Sequence, residues 1–342
     1  MRSYNTYDRF LGSWWGSILG QALVQQPADS SSSEHIFAQP WLLRRRQVAE
    51  TLIESELRWS DANFVVDEQF VTQNGQQARV AKHYSNILSL LPLIIFCVSE
   101  QNLQPKITAE YNLKLAKLIP HNLVTPDILL WCYLLTTVLN SSSLNSKSAS
   151  TVNMLDVATL VQDKQLLESP LGEKLILVSQ GVKRGISLSS LREKLAAKNN
   201  LQATAIALSW YCFITTPQDF NLSIRRAALS GHNLAWLTTA LTGTLSGAYN
   251  GMARISLTWR TRKEQQQNAD LENHLFQKLF QSWSGVYAIE GNYAAHNSKL
   301  EAIALPQLIQ FRPTLNIISQ SPRQHQKFPS KHHHSSPTLR QN

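Results

Sequence analysis

The sequence predicts an all-α fold, a single compact multi-helix domain. Apolar residues recur at three- and four-residue steps from end to end, helix start signals repeat, and no run of alternating apolar and polar residues is bounded by hairpin turns. With 342 residues, 43% of them hydrophobic, the chain can bury a full core without metals or disulfides as staples.

The first helix is expected from Tyr7 to Leu23. Tyr7, Leu11, Trp14, Ile18 and Ala22 form a stripe that Phe10, Trp15, Leu19 and Leu23 widen, hydrophobic enough for a central position. Asp29 to Glu34 (DSSSSE) reads as a loop and Arg45 to Trp59 as the next helix. Val80 to Val98 follows, with Pro92 expected to kink or split it because proline has no N–H and its ring clashes with the preceding turn. Thr125-Pro126-Asp127 offers a capping hydroxyl, a first-turn proline and an acid at the positive helix end, so a helix should run from there through Leu139. Asn140 to Ser150 (NSSSLNSKSAS) reads as a long loop inside one domain, since similar helices flank it. Ser190-Leu-Arg-Glu193 and Thr216-Pro-Gln-Asp219 resemble capping boxes and place helix starts near 191 and 217.

Cys97, Cys132 and Cys212 each lie inside an apolar run, are odd in number and lack C-x-x-C spacing, so they read as reduced core residues. The opening residues carry Arg2, Asp8 and Arg9 without a cleavable apolar core, so no secretory signal is expected there. The longest apolar stretch, Leu88 to Val98, falls far short of the ~20 residues that span a bilayer. A soluble, cytoplasmic protein without a membrane span is the expectation. The formal charge of +9 is uneven: after Glu301 there is no acid, while Arg312, Arg323, Lys327, Lys331 and Arg340 are all basic. The chain therefore divides into a helical domain, 1–311, and a basic tail, 312–342, expected to be disordered and able to touch an acidic partner.

Two stretches place glycine at every fourth position of an apolar helix: Gly12, Gly16 and Gly20, then Gly243, Gly247 and Gly251. Each interior glycine costs ~1 kcal/mol against alanine, so three in a row imply close approach of another backbone. Their context is more specific. DRFLGSWWGSILGQAL resembles the opening of the ADP-ribosylglycohydrolases of the dinitrogenase-reductase-activating type, where a glycine-rich first helix runs into Gly-Asp-Ala. DFNLSIRRAALSGHNLAWLTTALTGTLSGAYNG is similar to that family's closing signature, a helix and glycine leading into Gly-Asp-x-Asp-Thr and a Gly-x-x-x-Gly-Ala-Tyr helix. HYSNILSLLPLIIF, IPHNLVTPDILLWCYLL and ATAIALSWYCFI fall in the order of the middle helices, so the resemblance spans roughly residues 6 to 260.

The resemblance implies an ADP-ribosylglycohydrolase-like helical cleft. In the family two magnesium ions sit there, held by oxygens of a Thr-Asp-Asp-Thr motif and the late Asp-x-Asp-Thr motif. Magnesium is a hard cation that demands oxygen ligands, and two side by side need several carboxylates to offset their charge. At the matching positions this sequence departs from the pattern. Gln21 stands for the Gly-Asp-Ala aspartate, Ser60-Asp61-Ala62-Asn63 is the nearest match to the first motif, and Leu234 and Trp236 stand for the late aspartates. Asp61 alone would keep a carboxylate, and it also reads as an ordinary surface acid after Trp59. The degenerate pocket positions are thus Gln21, Ser60, Asp61, Asn63, Leu234 and Trp236; no catalytic or metal-ligating residue is assigned, and the two magnesium ions are expected to be lost.

Other chemistry does not fill the gap. His35, His83, His121, His232, His274 and His296 show no i, i+4 pairing beside an acid, His332 to His334 form a tail triplet without supporting partners, and no phosphate loop, dinucleotide fingerprint or G-x-S-x-G elbow is present. The expectation is a catalytically inactive homologue that binds or regulates, through an unidentified protein partner or an ADP-ribose-like ligand. The alternative is an active hydrolase of ADP-ribosyl or other N- or O-glycosidic bonds with a rearranged site, using Asp61 with Asp67 or Glu68, because two carboxylates suffice for glycoside hydrolysis without metal.

Overall fold

The computed structural model describes residues 2–25, 39–54, 87–97, 126–140, 164–196, 200–231, 235–257 and 266–284. Among these residues there are eleven α-helices and no strand, so the chain is all-α as the periodicity predicts. The helices are α1 Arg2–Gln25, α2 Pro40–Glu54, α3 Leu91–Cys97, α4 Pro126–Asn140, α5 Lys164–Leu167, α6 Pro170–Lys183, α7 Leu188–Ala196, α8 Leu201–Thr215, α9 Phe220–Ala228, α10 Ala235–Asn250 and α11 Gln266–Ser284. A short 3-10 turn, Met252–Arg254, follows α10.

α1 is the central helix because three of its faces find partners. Its glycine face lies antiparallel against α10, with Gly12 opposite Gly247 and Gly251, Gly16 opposite Gly243, and Gly20 opposite Thr239. A Cβ at Gly12, Gly16, Gly20, Gly243 or Gly247 would fall under 3.0 Å from backbone atoms of the facing helix, a separation that no side chain movement relieves. The close approach expected from the glycine spacing is therefore present. On another face Tyr7, Phe10 and Trp14 pack edge-on or tilted against Phe276 and Phe280 of α11, with ring centroids 4.9 to 6.2 Å apart. The third face meets α2. Around this centre α8 and α9 pack on α10, and α6 joins α8 to α4.

Helix boundaries show where local signals held and where they did not. α4 begins at Pro126 and runs through Asn140, one residue beyond the expected end. Pro92 splits its segment: helical residues 87–89 end in a turn at Leu90, and α3 starts at Leu91. α2 starts at Pro40, five residues before the expected Arg45, because proline at a first helical position needs no N–H partner. Both proposed capping boxes are displaced. The Ser187 hydroxyl, not Ser190, accepts from the Ser190 N–H at 3.3 Å as α7 begins. Asp219 itself caps α9, accepting from the Leu222 N–H at 2.9 Å, while Thr216 closes α8 by donating to the Cys212 carbonyl at 2.9 Å.

Cys132 and Cys212 are free and buried, as expected, and burial pushes the Cys212 thiol up to about 12 against a smaller downward pull from Arg226. Among the described residues no helix is long and apolar enough to cross a membrane. The loops expected at 29–34 and 141–150, the end of the second helix at 55–59, and the 311/312 boundary with its basic tail lie outside the described residues.

Candidate functional site

The register of α1 on α10 decides which candidate positions can meet. Gly20 packs on Thr239 and Ala240, so Gln21, the next residue, lies level with the first turn of α10, where Trp236 sits. Gln21 is 1% exposed. Its side-chain oxygen accepts from the Trp41 indole N–H at 2.5 Å, and Trp41, at the start of α2, is buried as well. Trp236 is half-buried and packs against the hydrophobic core. Thr238, two residues further on, lies about 200° around α10 from Trp236, on the side where Thr242 faces the Ser209 carbonyl of α8, and its buried hydroxyl has no hydrogen-bond partner among the described residues. Ser60, Asp61, Asn63 and Leu234 lie outside the described residues, as do Asp67 and Glu68.

Neither of the two candidate side chains described, Gln21 and Trp236, brings a carboxylate that could hold magnesium. Gln21 contributes a neutral amide whose oxygen accepts from the Trp41 indole, and Trp236 has no oxygen in its side chain. Such donors cannot offset two divalent charges. Among the described residues no group of three or more His, Cys, Asp or Glu is placed to hold a metal ion.

A buried polar network that sequence reasoning missed runs from this corner along α1. Arg45 of α2 is fully buried; its guanidinium lies 4.0 Å from the Trp14 ring centroid and 5.2 Å from that of Trp41. It donates to the Trp14 carbonyl at 3.1 Å, the Ser17 hydroxyl at 2.8 Å and Glu272 Oε2 at 2.7 Å. Arg46 Nε donates to Glu272 Oε1 at 2.5 Å and the Trp14 indole N–H to Oε2 at 2.8 Å, so one carboxylate of α11 joins three partners from α1 and α2. Burial lowers the Arg45 pKa to about 10, with Glu272 pushing it back up. Burial raises Glu272, but Arg45 and Arg46 outweigh it and hold the carboxyl below its ordinary value. The network ties three helices together and sets the Trp41 indole over Gln21.

A second buried cation fixes the opposite end of α1. Arg9 donates to the Ala248 carbonyl at 2.6 Å and to the Leu139 and Val138 carbonyls at 2.7 and 2.5 Å. The last two belong to the C-terminal turn of α4, whose carbonyls lack helical partners and carry the negative end of the helix dipole. Burial lowers the Arg9 pKa to about 10, opposed by Tyr249 and Asp8.

Comparisons with known proteins add little to these observations. No family model matches the sequence, and no curated protein matches it. Among solved structures, the chain is similar to one described as an "ADP-ribosylglycohydrolase-related protein complex", at 15% identity and a TM-score of 0.49 over 82% of this chain and 99% of that one.

Proposed function

We propose that this chain is a non-catalytic binding or regulatory module built on an ADP-ribosylglycohydrolase-like helical frame. The carrying observation is the corner between α1 and α10. The close pairing expected from the glycine spacing is in place, while Gln21, at the position matched to a family aspartate, is buried beneath Trp41 and its oxygen accepts from the Trp41 indole. An aspartate poised for metal needs free carboxylate oxygens facing a cleft; an amide bonded to an indole is a packing element. Trp236 at the start of α10 supports the same reading, since an aromatic side chain there fills space and ligates nothing. The ligand class that suits such a frame is ADP-ribose-like or a protein partner.

Hydrolysis assays on ADP-ribosylated arginine, serine and dinucleotide substrates with the full chain test the proposal. No turnover above background is the expected result. Turnover that disappears in an Asp61→Asn variant would overturn it in favour of a rearranged carboxylate site.

A further inference from the structure

The outward face of α9 is where the described surface departs furthest from an ordinary solvated helix. Phe220, Ser223, Ile224 and Ala227 face inward and are buried. On the other side Leu222 is 45% exposed and Leu229, just past the helix end, is 74% exposed. They are seven residues apart, two helical turns or ~10 Å, which is the repeat of a helix-pairing seam.

Three arginines surround the leucines. Arg225 is exposed between them, and the Arg226 guanidinium lies 5.6 Å from the Tyr211 ring centroid. Arg192 of α7 reaches the same end, its Nη1 3.2 Å from where a Cβ on Gly231 would sit. Among the described residues none of the three forms an ion pair. The nearest acid in α9's sequence is Asp219, whose Oδ1 already caps the helix; Glu193 follows Arg192 on α7.

The geometry points to this face as the docking site for an acidic amphipathic helix of a partner protein. Two leucines at a two-turn spacing accept the apolar stripe of such a helix, and the arginines meet carboxylates on its flanks. The alternatives each match half of the surface. Nucleic acid would use the arginines and leave the leucines in water. A second copy joined by a two-fold axis would set Arg225 and Arg226 against their own counterparts. An anionic membrane takes both chemistries but needs a longer apolar face than one nine-residue helix held from behind. The inference rests on the α9 surface and does not require the family reading.

The test is fluorescence anisotropy of the full chain with a labelled synthetic peptide carrying leucines at three- and four-residue steps and glutamates on the flanks. The wild-type chain should bind it, and Leu229→Ser and Arg225→Glu should each weaken binding roughly tenfold or more. Leu271→Ser, which alters a leucine 58% exposed on α11, should leave binding unchanged. A peptide with lysines for the glutamates should bind Arg225→Glu better than wild type. Equal binding by all variants, or equal loss in Leu271→Ser, overturns the inference. So does a Leu229→Ser effect confined to phosphatidylserine vesicles, to an oligonucleotide or to the molar mass of a dimer.

Discussion

Glu272 is the residue on which three helices depend, because its carboxylate receives Trp14, Arg45 and Arg46 in a fully buried position. Removing its charge in Glu272→Gln leaves Arg45 buried without a counter-ion, which costs about 3–5 kcal/mol. Arg45→Met should cost less, because Glu272 keeps Arg46 and an apolar side chain suits the space between Trp14 and Trp41. Urea unfolding midpoints of the two variants check the order. The pH dependence follows from the depressed folded pKa of Glu272. The folded state favours the ionised form, so this stabilisation is complete above the unfolded carboxylate value and is lost as pH falls through the folded value. Thermal melts of the wild type should show that acid-side loss, and Glu272→Gln should lack that component. None of this was legible in the sequence: Arg45 and Glu272 are 227 positions apart, and Arg45 enters there only as the expected start of the second helix. Burial of a charge is decided by distant partners, which periodicity does not report.

At the scale of elements the glycines carry a sharper expectation. Gly16→Ala and Gly243→Ala each place a methyl on the facing carbonyl, so they should lose about 1–3 kcal/mol through overpacking despite the better helix propensity of alanine. Gly185→Ala supplies the contrast: its φ of +65° disfavours a side chain, but nothing lies within 4 Å, so about 1 kcal/mol of backbone strain is the whole effect. Chemical denaturation of the three variants distinguishes steric from conformational cost. The glycine spacing was legible because a repeated unfavourable residue implies a compensating contact. Caps were less so: hydroxyls at Ser187 and Ser190, or Thr216 and an acid at Asp219, compete locally, and tertiary packing selects the one used. Asp127 was read correctly as a first-turn acid, but its acceptance of the Leu171 N–H at 2.9 Å and the Asn200 side-chain amide at 3.1 Å joins the starts of α4, α6 and α8, a role that only the folded arrangement defines.

For the whole molecule, α1 orders the helices: α10 packs on its glycines, α11 on its aromatics and α2 on its polar stripe. Two buried arginine networks and the close backbone contact between α1 and α10 tie these helices together. Of the candidate positions, Gln21 and Trp236 are the two described, and they lie toward the same end of the α1/α10 pair. Trp41 as the partner of Gln21 was not legible in the sequence, because Pro40 was not recognised as a helix start. Isothermal titration of the full chain with magnesium chloride near neutral pH tests the proposed loss of the dinuclear centre: no saturable heat is expected, and stoichiometric uptake of two ions per chain overturns the proposal.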